Sequence, residues 1–218
     1  MLKIQKFVVN PFSENTYLIW DDLSKESAII DPGTLEDYEF KELTDFISLV
    51  NLNLKFVINT HCHLDHIFGN KKFITKYNAK FFAPELDIPL LQNSHNQGKQ
   101  FGITFDSSPL PHEFLTEELK LFLGAIEMKF LFSPGHTPGE YCIYFEKENK
   151  CVTGDVLFLE SIGRTDLWGG DYNTLIQSIK TKLLVLPDET VIYPGHGDES
   201  TILHEKKYNP FLRCVLQV

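Results

Sequence analysis

Apolar and polar residues alternate, or apolar residues run together for a few positions, along the amino-terminal part of the chain. Leu2–Val9, Thr16–Trp20 and Ser27–Ile30 read as strands, the last stopped by the turn signal Asp31-Pro32-Gly33. Leu43, Phe46, Ile47 and Val50 then recur at the spacing of one helix face. Leu54–Asn59 is a short apolar run bounded by polar residues, as in a buried strand. Phe73, Ile74 and Tyr77 predict a helix and Lys80–Ala83 another strand. Between Pro84 and Pro111 the pattern weakens, because Pro84, Pro89, Gly98, Gly102, Pro109 and Pro111 punctuate it into short helices and loops. Strands resume at Lys120–Leu123, Glu127–Phe132, Tyr141–Phe145 and Cys151–Thr153. Leu175, Ile179 and Leu183 mark a helix side, and Thr190–Tyr193 a final strand.

Strands and helices mixed in this way predict an α/β protein in which helices cover the outer faces of packed sheets. No repeat, low-complexity tract or linker interrupts the 218 residues, so one domain, 1–218, is expected. A chain of this length, 43% apolar and 23% charged, can bury a core without disulfides or structural metal. Any metal ligands are then free to serve chemistry.

The four cysteines, Cys62, Cys142, Cys151 and Cys214, form no CxxC pair and no dense framework, which points to a reducing, cytoplasmic setting. No stretch approaches the roughly 20 apolar residues that cross a bilayer, and the first residues lack a signal peptide's apolar run. A net charge of −10 disfavours nucleic acid as a partner, since an acidic surface repels phosphate. It says less about small anionic substrates, because bound divalent cations dominate the field close to them.

The segment that changes this picture is Thr60-His61-Cys62-His63-Leu64-Asp65-His66, directly after a predicted strand. Imidazole and carboxylate suit zinc, iron and manganese. Alternate residues of an extended segment share a face, so His61, His63 and Asp65 can converge, and His66 joins them if a helix starts there. Four ligands in one short loop crowd a single tetrahedral ion, which favours two metals. Three more donors follow strands: His136 in Ser133-Pro134-Gly135-His136, Asp155 after Gly154, and His196 in Pro194-Gly195-His196-Gly197. Glycines at these turns let the backbone come close to a metal. Cys62 lies between two ligands and is expected to pack away from them, while His95, His112 and His204 read as ordinary histidines. A structural zinc site would be rich in cysteine, and this pattern is not.

In these motifs, from Asp31-Pro32-Gly33 to Pro194-Gly195-His196, the chain resembles the metallo-β-lactamase-fold hydrolases, specifically their glyoxalase II-like (hydroxyacylglutathione hydrolase-like) branch. The resemblance implies a four-layer αββα sandwich of two mixed β-sheets with helices outside. It implies one divalent ion on His61, His63 and His136, a second on Asp65, His66 and His196, and Asp155 bridging them; zinc is the expected metal, with iron or manganese as alternatives. The implied reaction is thioester hydrolysis of an S-acyl-glutathione-like small molecule by a hydroxide formed between the two ions. Asp65 is the candidate to orient that group or hold its proton.

Within Phe158–Asp166, Arg164 matches the family's basic residue near the thiol carrier and is the candidate to hold a substrate carboxylate through paired hydrogen bonds. Only residues 197–218 follow His196, in place of the basic C-terminal helical domain of full-length glyoxalase II. Asp166 and Asp198 stand where that family has aromatics. The ending Asn209-Pro210-Phe211 resembles the compact, single-domain bacterial members. The rival reading is a persulfide dioxygenase, an iron oxidoreductase on the same fold, which the chain resembles at Gly163-Arg164-Thr165-Asp166.

Overall fold

The structure, a computed structural model, describes residues 1–216, with side chains to Arg213; Cys214 lies outside the described side chains. The chain divides into two compact units: Met1–Leu115 with Leu121–Glu127, and Thr116–Lys120 with the chain from Met128 onward.

The first unit begins with β1 (Leu2–Val9) and β2 (Glu14–Asp21), an antiparallel pair in register from Leu2 opposite Asp21 to Val9 opposite Glu14. β3 (Glu26–Ile30) runs antiparallel to β2. Helix α1 (Asp37–Val50) then carries the chain across to β4 (Asn53–Ile58), parallel to β3. The short α2 (Leu64–Ile67), α3 (Asn70–Tyr77), β5 (Lys80–Ala83), α4 (Ile88–Gln100), β6 (Glu113–Phe114) and β7 (Leu121–Leu123) complete it. The six strands β1 to β6 lie side by side in chain order, so the sheet is antiparallel at one end and parallel at the other.

Helix α1 forms because both ends are satisfied locally. Glu36 and Glu39 make a reciprocal capping box, and Asn51 closes the helix in the left-handed region, donating to the carbonyls of Ile47 and Ser48. Leu43 and Ile47 pack with Leu18, Ile29, Val57, Phe73 and Phe81 in one apolar cluster. Each such side chain contributes about 1.5–3 kcal/mol by leaving water.

The broken stretch after Pro84 differs from expectation. Residues Ile88–Gln100 form a regular helix of 13 residues. Pro89 sits in its first turn, where a missing N–H costs nothing. Gly98 is tolerated because the backbone passes close there: an added Cβ would lie 2.8 Å from the Ile103 carbonyl and 3.0 Å from Phe105. Residues 103–112 remain without helix or strand.

One surface element yields a prediction. Glu26 accepts from the Gly124 amide at 2.8 Å and from the Lys55 ammonium at 3.0 Å. These hydrogen bonds, the amide's first, hold its carboxyl below the usual glutamate value. A depressed carboxyl stabilises the fold above its unfolded pKa and loses that contribution as pH falls through its folded pKa. Glu26→Gln should therefore lower the melting temperature by roughly 1–3 °C near neutral pH. The gap to wild type should close as the buffer is taken below the ordinary glutamate range, as thermal melts across pH would show.

The second unit takes over within β8 (Ile126–Phe132) and continues through β9 (Tyr141–Phe145), β10 (Lys150–Gly154), the small hairpin β11 (Leu157–Phe158) and β12 (Ser161–Ile162), and α5 (Tyr172–Ser178). Helix α5 runs on into a π-helical turn, Ile179–Leu183. Then come β13 (Val191–Pro194), β14 (Ser200–Thr201), α6 (Ile202–Tyr208) and α7 (Pro210–Leu216). Its sheet has the order β14-β13-β10-β9-β8; the β10–β13 pair is parallel and the others antiparallel. Leu175, Ile179 and Leu183, spaced as one helix face, pack with Ile192, Ile202 and Leu212 in a second apolar cluster. No helix among the described residues is long and apolar enough to cross a membrane.

Candidate metal centre

The first unit's donors sit where β4 ends. His63 keeps an extended backbone and caps α2, which starts at Leu64 and turns the chain so that Asp65 and His66 follow at once. The ring centroids of His61 and His63 are 4.9 Å apart, and those of His61 and His66 4.1 Å. His61 and His66 are fully buried; His63 and Asp65 are half-buried. Asp65 Oδ2 lies 3.7 Å from His66 Nε2.

A buried carboxylate orients these rings. Asp31 accepts from the Thr60 amide at 2.7 Å and from the Thr60 hydroxyl at 2.6 Å. Its Oδ2 is also 3.3 Å from His66 Nδ1, and Thr60 Oγ1 is 3.1 Å from His61 Nδ1. Thr60 thus holds the His61 ring through Nδ1, the arrangement that fixes a ligating imidazole and raises its basicity, and the Asp31 carboxylate stands beside His66 Nδ1. Asp31, His61 and His66 offer donor atoms within 4.8 Å of one another. Each Asp31 oxygen already accepts a hydrogen bond from Thr60.

Glu14 stands behind His66, its Oε1 3.8 Å from Nδ1. Burial pushes its carboxyl well above the usual range, with His66 pulling the other way. Gly33 lets the chain through at this point, since an added Cβ would collide with Glu14 Oε2 and the Asp65 carbonyl. Cys62 joins the apolar cluster, as expected. Burial, then Asp87 and Asp31, raise its thiol well above the ordinary value, so it stays protonated.

The second unit presents three donors of its own. His136 is held by its Nδ1, 2.8 Å from the Arg164 carbonyl, which leaves Nε2 directed elsewhere. Asp155 Oδ2 lies 3.5 Å from His136 Nε2 and 3.7 Å from His196 Nε2. One carboxylate oxygen therefore stands between two imidazole nitrogens, the geometry a bridging ligand needs. Asp155 itself is fixed through its amide, which donates to Glu140 Oε1 at 2.7 Å. Gly163 passes so close to Asp155 that a Cβ there would overlap its carbonyl oxygen.

Arg164, the candidate for a substrate carboxylate, lies at the surface. Its guanidinium makes a bidentate pair with Asp166, both contacts 2.8 Å, and both side chains are exposed. That pair holds Asp166 down at about 2 and raises the arginine. His95, His112 and His204 are absent from the donor groups found among the described residues.

The donor chemistry passes the test for divalent metals: imidazoles aligned through Nδ1, buried carboxylates, and no cysteine in any donor group. The profile of the metallo-beta-lactamase superfamily matches residues 9–196, most of the chain. This chain belongs to that superfamily. Its α/β fold with two mixed sheets is the metallo-beta-lactamase fold expected from the sequence. A hydroxyacylglutathione hydrolase, GloC, of Haemophilus influenzae is 39% identical over 213 residues, 97% of this chain and 98% of that protein. The BLEG-1 B3 metallo-beta-lactamase is similar at a TM-score of 0.87 and 32% identity, covering 98% of this chain and 100% of its own. TTHA1623, solved in a di-iron-bound form, gives a TM-score of 0.84 and 31% identity over 95% of this chain and 100% of its own.

As a superfamily member the chain is a metal-dependent hydrolase. Neither periodicity nor motif spacing singles out Asp31, Thr60, Glu14 or Glu140 as supports of its donors. Asp31 carried a signal as a turn residue and as the first of the motifs shared with the family, not as a partner of Thr60, which lies 29 positions away.

Proposed function

We propose that this hydrolase cleaves thioesters of the S-acyl-glutathione type, with His61, His63 and His136 holding one divalent ion, Asp65, His66 and His196 a second, and Asp155 shared. The reading treats residues 1–218 as one catalytic domain. What carries it is the likeness to GloC over nearly the full length of both chains, at 39% identity. The position of Asp155 Oδ2 between two Nε2 atoms supports the shared ligand. TTHA1623, bound to two irons, supports two ions and makes iron as well as zinc a metal to test.

Divalent ions held there would supply a Lewis acid and acidify a water toward neutral pH. The chain's own contribution is to fix geometry. Asp31 and Thr60 hold His61 and His66, the Arg164 carbonyl holds His136, and half-buried Asp65 orients the attacking group or takes its proton at a carboxylate oxygen. A thiolate leaves readily, so no strong general acid is required of the protein. Arg164 exchanges Asp166 for a substrate carboxylate, since a guanidinium binds either by the same paired geometry. Arg164→Ala should then raise KM several-fold with little change in kcat, the mark of uniform binding. An unchanged KM would remove Arg164 from the substrate site.

The deciding experiment follows loss of S-lactoylglutathione without oxygen, using protein loaded in turn with zinc, iron and manganese, and His136→Ala as control. Rapid loss that disappears in the variant supports the proposal. No loss, but iron-dependent oxygen uptake with glutathione persulfide, would replace it with the dioxygenase reading. Hydrolysis of a chromogenic cephalosporin alone would replace it with the activity named for BLEG-1.

A further inference from the structure

The ending Asn209-Pro210-Phe211 takes part in a buried clamp. Glu205, on α6, is fully buried, and three neutral donors converge on its carboxylate. The Glu160 amide donates at 2.9 Å, the Asn209 side-chain amide at 2.8 Å, and the Ser200 hydroxyl binds the other oxygen. Asn209, also fully buried, gives its second amide proton to the Ser161 carbonyl at 3.0 Å and accepts from the Phe211 amide at 3.0 Å. One carboxylate thus joins three segments: the turn between β11 and β12, the start of β14, and the joint between α6 and α7.

Two of those segments lead to metal donors. From Ser161 the chain passes through Gly163 to Arg164, whose carbonyl holds His136 Nδ1. Ser200 is four residues beyond His196, and Phe158 on β11 meets the His196 ring edge-on, centroids 6.3 Å apart. Glu160, at the tip of the hairpin, has a φ of 53°. A non-glycine residue there costs roughly 1–2 kcal/mol, so the turn needs an outside hold. The Glu205 carboxylate supplies it at the Glu160 amide.

We infer that Glu205 and Asn209 are positioning residues for the metal centre. The clamp fixes the β11–β12 hairpin and the loop 196–200 together, so that His136 and His196 present Nε2 to either side of Asp155. A carboxyl group suits the role because its two oxygens accept from all three donors; a glutamine would turn an N–H toward one of them. This inference rests on the metal-binding reading above.

The test titrates metal-free protein with cobalt(II), followed by its visible spectrum, with zinc competition for affinity. Glu205→Gln and Asn209→Ala should each weaken binding about tenfold, as lost ligand supports do, and change the cobalt bands. Leu212→Ala, a buried apolar residue of α7 outside the clamp, should lower the melting temperature but leave affinity and spectrum as in wild type. Either clamp variant, folded, with wild-type affinity and bands overturns the inference. So does Leu212→Ala weakening cobalt as much as the clamp variants do. Failure of wild type to bind cobalt would instead overturn the metal-binding reading on which this one stands.

Discussion

Asp155→Ala is expected to lower the proposed thioester hydrolysis by at least about 10²–10³-fold while the protein remains folded. Losing a single preorganised hydrogen-bond donor to an oxyanion already costs that much in other hydrolases. Asp155 fixes more than one donor does, because its Oδ2 stands 3.5 Å from His136 Nε2 and 3.7 Å from His196 Nε2. Without it the two histidines lose the carboxylate that stands between their Nε2 atoms, and metal content should fall with turnover. The fold should survive because the structural bond at this position is made by the backbone. The Asp155 amide donates to Glu140, and alanine keeps that amide. In the metal-free state the variant should melt close to wild type, because the backbone bond to Glu140 is kept. Turnover, metal content and a thermal melt in chelator decide the matter. Activity within tenfold of wild type would remove Asp155 from the centre.

The parts legible in the sequence are those whose cause is local. Leu2–Val9, Lys80–Ala83 and Tyr141–Phe145 form strands with the expected bounds because each is a bounded apolar or alternating run. The His61–His66 cluster announced metal chemistry by residue type and spacing alone. Helix α4 was hidden because Pro89 and Gly98 read as breakers, although one lies in the tolerant first turn and the other at a close backbone approach. β6, β11, β12 and β14 are two residues each, too short for any period to register. The supports of the donors were hidden for another reason. Glu140 meets Asp155 from 15 positions away, and Glu205 meets Glu160 from 45. Such pairs exist only once the fold brings them together, and a buried glutamate looks in sequence like any surface one.

Asp31 gives the second large effect, and its two substitutions should separate stability from metal binding. Asp31→Ala removes the acceptor of both the Thr60 amide and the Thr60 hydroxyl, where both residues are buried. Each buried donor left unsatisfied costs about 1–3 kcal/mol. The backbone there has a φ of 49°, which aspartate tolerates better than alanine. The melting temperature should therefore fall by roughly 5–12 °C. Metal affinity should fall about 10–100-fold as His61 and His66 lose what orients their Nδ1 atoms. Asp31→Asn keeps the shape and one acceptor oxygen, so the Thr60 amide stays bonded and most of the stability is retained. The amide nitrogen cannot accept from the Thr60 hydroxyl or face His66 Nδ1 as a carboxylate does, so metal affinity should still drop about tenfold. Melting curves in chelator and metal titrations on both variants separate the two effects. If Asp31→Asn binds metal as wild type does, the Asp31 charge has no part in ordering the histidines, and its role reduces to holding the turn beside Thr60.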